Sequence, residues 1–105
     1  MNQTGLQMPK KRIGVYAGSF DPFTLGHRDI AVRASAILDD LIIAIGVNPA
    51  KKGFFSVDER IDLIVEQLGE VSNIRVVPFQ GLLVDFCTSV EANIIIRGLR
   101  NAQDF

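Results

Sequence analysis

The stretch YAGSFDPFTLGH, residues 16–27, decides how the rest of the chain is read. It starts at the end of an apolar run, RIGVYA (12–17), and leads into a helical period. Two glycines, a proline, hydroxyls, a carboxylate and the chain's only histidine fall inside this one turn. An aliphatic strand that breaks into such a turn and then a helix is the opening unit of an α/β sheet. In open parallel sheets, ligands bind outside the carboxyl ends of the strands, where this turn would lie.

Beyond the turn the pattern alternates. Ile30, Ala31, Ala34, Ile37 and Leu38 recur at helical spacing, which predicts a helix over 26–38. DLIIAIGV (40–47) is continuously aliphatic, as a buried parallel strand is. NPAKKGFF is a loop punctuated by Pro49 and Gly53. Ser56 and Glu59 then form a capping-box pattern. Val57, Ile61, Ile64, Val65 and Leu68 mark one face of the helix that follows, and Gly69 fits its stop. NIRVVPF predicts a third strand with Pro78 near its end. Leu82, Leu83, Phe86 and Val90 suggest a third helix, and NIIIRG a fourth strand. The order β-α-β-α-β-α-β with short aliphatic strands predicts an α/β fold, a doubly wound parallel sheet of about four strands with helices on both faces.

A chain of 105 residues holds at most one domain. Residues 1–11 read as a flexible leader without the apolar core of a signal peptide. Residues 12–105 read as the domain, which stops after the fourth strand at LRNAQDF. The formal charge of −1 gives no general attraction to nucleic acid or membrane, and no apolar run reaches the length of a membrane span. The single cysteine, Cys87, lies in the apolar stretch LLVDFCTSV, so it reads as a buried thiol in a reducing, cytoplasmic setting.

The polar residues gather at the predicted carboxyl ends. Gly18, Ser19, Asp21 and His27 follow the first strand, and Asn48, Lys51 and Lys52 the second. Gln80 and Gly81 follow the third, and Arg97 and Arg100 the fourth. Four of the eleven lysines and arginines would thus share one edge, which points to an anionic small molecule such as a phosphate ester. Solvated loop lysines are the common case, and Arg100 reads as a surface residue. Arg97, at the mouth of a buried strand, calls for an anionic partner. Asp21 before Pro22 reads as a turn former. Phe23, Phe54 and Phe55 read as packing residues. His27 follows Gly26 at a helix start, where free amides and the helix dipole bind phosphate. Either charge form of the ring can donate to a phosphoryl oxygen. The turn matches neither G-x-G-x-x-G nor the phosphate loop. One histidine and one cysteine build no structural zinc site, and Ser19 lacks a nucleophile-elbow context.

GSFDPFTLGH resembles the (T/S)-x-x-H-x-G-H region of the nucleotidyltransferase superfamily, with Thr24 where many members carry a first histidine. With NPAKKGFFSVDER and IIIRGLRNAQDF downstream, the chain is similar to bacterial phosphopantetheine adenylyltransferases from about residue 12 to its end. GSFDP alone is shared with nicotinate-nucleotide adenylyltransferases, and IRGLR tips the choice. The resemblance implies a Rossmann-like fold, and AMP transfer from ATP to 4′-phosphopantetheine with Mg²⁺, yielding dephospho-coenzyme A and pyrophosphate. It implies that Ser19 contacts the pantetheine phosphate and, with Phe20, ATP. His27 would contact ATP and stabilise the transition state. Lys51, Leu83 and Arg97 would bind phosphopantetheine, Leu83 through its backbone, and Lys51 would assist catalysis. Gly98, Leu99 and Arg100 would line the ATP site. No protein side chain of the chain is expected to ligate the metal. A cytoplasmic homo-oligomer, a hexamer, is implied as well. Family chains are longer, with further ATP contacts in a serine-rich loop and closing helices. The chain is therefore expected to be the N-terminal portion of such an enzyme. The competing readings are a related enzyme acting on a nicotinate-nucleotide or glycerol-phosphate acceptor, and a non-catalytic nucleotide-binding fragment.

Overall fold

The structure, a computed structural model, describes residues 10–51 and 53–98. Its elements follow the alternation of the sequence: β1 (Ile13–Gly18), α1 (Leu25–Ser35), β2 (Asp40–Gly46), α2 (Val57–Leu68), β3 (Ile74–Phe79), α3 (Leu83–Ser89) and β4 (Ile94–Ile96). The four strands form one parallel sheet in the order β3-β2-β1-β4. All carboxyl ends therefore face the same way.

β2 shows why the sheet is covered twice. Leu41, Ile43 and Ile45 point to one face, where they pack with Ala31, Ala34, Ile64 and Leu68 of α1 and α2. Ile42 and Ala44 point to the other, where they meet Val15 and Cys87, with Leu83 and Phe86 of α3 alongside. Side chains alternate along a strand, so a strand apolar at every position needs cover on both sides. Cys87 is a buried free thiol, as its apolar neighbours imply. Pro78 has no N–H to give a ladder and stands on β3, which pairs with β2 alone.

Several local expectations are corrected. α1 ends at Ser35, three residues before Leu38. The Nδ2 of Asn73 donates to the carbonyls of Ser35 and Leu38 at 2.9 and 3.2 Å, taking up acceptors at the helix end from another part of the chain. Leu38 is still buried, against Gly14 of β1, but Ile37 points out and is 64% exposed. On α2 the buried residues are Arg60, Ile64 and Leu68, at i, i+4 and i+8, and Val65 falls off that stripe into solvent. Leu82 is the N-cap of α3 and exposed. Phe54 is 91% exposed and does not pack as expected, whereas Phe23 is buried and Phe55 half-buried. β4 is an edge strand with Ile95 half-exposed, so Arg97 leaves an edge and not a buried strand. Residues 1–9 of the expected leader lie outside the described residues. Lys11 and Arg12 are tied in: Asn73's counterpart on the other side, Asn93, donates to the Lys11 carbonyl at 2.9 Å, and the Arg12 amide donates to Asp39 at 2.6 Å.

Candidate active site

β1 ends at Gly18, and the chain crosses to α1 through residues 19–24. Phe20 takes a left-handed conformation, φ 49°, and is buried to 3% exposure. Its ring stands edge-on to those of Tyr16, Phe23 and His27, with centroids 5.2, 5.5 and 5.1 Å away. Phe20 lines the cavity here, but its ring is a packing element under the turn and not an open stacking platform. Ser19 is exposed beside it.

α1 opens on a capping box with an unusual third position. Thr24 Oγ1 accepts from the His27 amide at 3.2 Å, and the Thr24 amide donates to His27 Nδ1 at 2.9 Å. The imidazole takes the place usually held by a Glu or Gln side chain. A main-chain N–H can only donate, so Nδ1 accepts, and the neutral ring carries its proton on Nε2. This contact is one that a neutral ring makes and an imidazolium does not, because an imidazolium has no lone pair on Nδ1 for Thr24. His27 is half-buried at the first turn of the helix, where amides and dipole favour an anion.

Asp21 holds more than its own turn. Its Oδ2 and Oδ1 accept from the amides of Phe54 and Phe55, at 2.7 and 2.8 Å. Arg60, from the buried face of α2, approaches Asp21 to 3.8 Å and donates to the carbonyls of Ser19 and Phe55, at 3.2 and 3.0 Å. Arg60 was not singled out from the sequence. The signal was available: an arginine four residues before Ile64 and eight before Leu68 sits on an apolar stripe, where a charge needs a partner.

Three cavities adjoin at the carboxyl ends of β1, β2 and β4. The first, about 520 Å³, gathers Ser19, Phe20, His27 and Gly98 with Thr24, Gly26 and Ile30. The second, about 630 Å³, joins Ser19 to Lys51 and Asn48, with Asp21 and Arg60 in its wall. The third, about 340 Å³, brings Leu83 and Arg97 together. It shares Tyr16, Ala17 and Gly98 with the first. Lys51 and Arg97 thus flank β1 from the two neighbouring strands and line different cavities. Gln80 and Gly81 line none of these three. Lys52, Leu99 and Arg100 lie outside the described residues.

A protein-built cage for Mg²⁺ does not fit what is present. Among the described residues no three His, Cys, Asp or Glu side chains come together, and both oxygens of Asp21 already accept main-chain amides. Among the same residues no helix is long and apolar enough to cross a membrane.

Comparisons with known proteins bear on the family and the fold. The cytidylyltransferase-like family profile matches residues 15–105. A phosphopantetheine adenylyltransferase of Syntrophotalea carbinolica is 54% identical over 95 residues, 90% of this chain and 57% of that protein. The chain spans somewhat under three-fifths of the length of the curated relatives it matches. Among solved structures, a lipopolysaccharide core biosynthesis protein of Thermoplasma volcanium superposes with a TM-score of 0.64 at 22% identity, over 82% of this chain and 73% of that one. That likeness bears out the Rossmann-like sheet. A bifunctional NMN adenylyltransferase/ADP-ribose pyrophosphatase of Francisella tularensis, complexed with AMP and a manganese ion, gives 0.58 at 26% identity, over 69% of this chain and 23% of that one. The resemblance carried by GSFDPFTLGH and IIIRGLR is borne out by these relatives. With the profile running from the middle of β1 to the end of the chain, and the turn and all three cavities within it, the chain belongs to the cytidylyltransferase-like family.

Proposed function

We infer that this site serves adenylyl transfer from ATP to 4′-phosphopantetheine, giving dephospho-coenzyme A and pyrophosphate in coenzyme A biosynthesis. The observation that carries the reading is the junction of two cavities over the end of β1. One holds the α1 N-terminus and His27, the other Leu83 and Arg97, and they meet at Tyr16, Ala17 and Gly98. Two anionic substrates bound there would lie side by side.

An oxygen of the acceptor phosphate attacks the α-phosphorus of ATP in line, and the bond to pyrophosphate breaks. One phosphate replaces another, so no enzyme nucleophile and no covalent intermediate is needed. The protein's part is positioning and neutralising charge. His27 donates from Nε2 to a non-bridging α-phosphate oxygen, while Thr24 holds the ring from the other side. Ser19 and Lys51 hold the acceptor phosphate from one side of β1 and Arg97 from the other, and the Leu83 backbone meets the rest of that substrate. Gly98 and the neighbouring Leu99 and Arg100 face ATP, with Phe20 as the packed floor. Mg²⁺ would enter with the triphosphate and offset its charge, and no residue role above depends on it. A cytoplasmic homo-hexamer completes the reading.

The test is pyrophosphate release from ATP, Mg²⁺ and 4′-phosphopantetheine, with nicotinamide mononucleotide, nicotinate mononucleotide and glycerol phosphate as competing acceptors. Turnover with 4′-phosphopantetheine alone is expected. The likeness to an NMN adenylyltransferase favours a mononucleotide acceptor as the second reading, and turnover there would replace the first. Nucleotide binding without pyrophosphate from any acceptor would identify a non-catalytic nucleotide-binding fragment.

A further inference from the structure

Asp21 and Arg60 are charged, nearly buried, and outside the roles given above. Their side chains are 14% and 10% exposed. A buried ion pair is weak evidence for stability, because desolvation offsets attraction and apolar replacements of similar volume often do as well. The remaining bonds of this pair are more informative, for they run to main chain. Arg60 Nη1 and Nε donate to the carbonyls of Ser19 and Phe55. Asp21 accepts the amides of Phe54 and Phe55. The turn after β1 is thereby fastened to the loop before α2, across 33 or more residues of sequence. Gly53 allows the approach: a Cβ there would run into Asp21 Oδ2 and lie 2.6 Å from Arg60 Nη2.

We propose that the Asp21–Arg60 pair is a positioning clamp for the acceptor side of the site. It sets Ser19 and the Lys51 loop across one cavity from each other, so that both can face a phosphate monoester. This rests on the reading of Ser19 and Lys51 as holders of the acceptor phosphate. The planar guanidinium fork faces a carboxylate and donates to two carbonyls at once, which a lysine ammonium does not reproduce. The carboxylate accepts two amides through two oxygens, whereas an asparagine has one.

The test compares the full chain with Arg60→Met, Arg60→Lys and the double variant Asp21→Asn/Arg60→Met. Thermal unfolding, amide exchange at Phe54 and Phe55, and kinetics with ATP and 4′-phosphopantetheine are read on each. Arg60→Met is expected to melt lower, since it strands the Asp21 charge, and the double variant to recover much of that loss. In the double variant, exchange at Phe54 and Phe55 stays faster than in the unsubstituted chain. Its KM for 4′-phosphopantetheine stays raised, on the order of 10–10²-fold, with a smaller change in kcat. Arg60→Lys shows the same KM effect without the loss of charge. If melting temperature and KM return together in the double variant, the pair is structural only and the proposal is overturned. Unchanged exchange at Phe54 and Phe55 overturns it as well. If the unsubstituted chain makes no pyrophosphate with this acceptor, the functional reading fails, and the exchange rates still decide the clamp.

Discussion

At the residue scale, the Thr24 amide fixes the chemistry that His27 can offer. With Nδ1 occupied as an acceptor at 2.9 Å, the proton sits on Nε2. Ring ¹⁵N chemical shifts are expected to show a protonated Nε2 and an unprotonated Nδ1 in the unliganded protein; the opposite tautomer would refute this assignment. His27→Ala is expected to lower kcat by about 10²–10³-fold, the usual scale for losing one transition-state donor, with the protein still folded by circular dichroism. Thr24→Ala removes a helix cap and is expected to cost about 1 kcal/mol, read by urea unfolding. The turn was legible as the lead-in to a helix start. The ring folding back onto the Thr24 amide was not, because a capping box is normally read from an acid or amide at its third position.

At the element scale, α2 does two jobs with one face. Ile64 and Leu68 fill the core against the sheet while Arg60, a turn earlier, reaches the β1–α1 turn. Ile64 is fully buried, so Ile64→Ala is expected to cost about 2–5 kcal/mol in denaturant unfolding. The helix itself could be read in advance, since Ser56 and Glu59 carry a local cap that needs no tertiary partner. Its true buried stripe could not. Val65 is as apolar as Ile64, and only the face that the helix turns toward the sheet sends one inward and the other out. The end of α1 shows the same limit, since Asn73, far along the chain, takes up the carbonyl of its last residue, Ser35, and that of Leu38 just beyond. Gly53→Ala, in the loop before α2, is expected to destabilise by about 1–3 kcal/mol. Its Cβ meets a carboxylate held by two amides, which cannot swing away as a free side chain would.

At the scale of the whole molecule, the strand order places the site. β1 to β3 are laid down in one direction across the sheet, and β4 is added on the far side of β1. The order therefore reverses between β1 and β4, and crevices form where neighbouring connections leave on opposite faces. The cavities shared by Tyr16, Ala17 and Gly98 lie at that reversal. Because Arg97 lines only the cavity with Leu83, Arg97→Met is expected to raise KM for 4′-phosphopantetheine about 10-fold or more and to leave KM for ATP nearly unchanged, by steady-state kinetics. An equal rise in both would show that Arg97 does not separate the two substrates.

The sequence by itself determined the alternation of strands and helices, the double cover of β2 and the polar character of the strand ends. These follow from side-chain periodicity and local caps, which act over a few residues. Tertiary structure alone decided that β4 joins β1, that Asp21 answers to Arg60 and two distant amides, and that Lys51 and Arg97 flank β1 from either side. Those pairings join residues 33 to 80 positions apart, and no local pattern encodes which of many possible partners a strand edge or a buried charge will find.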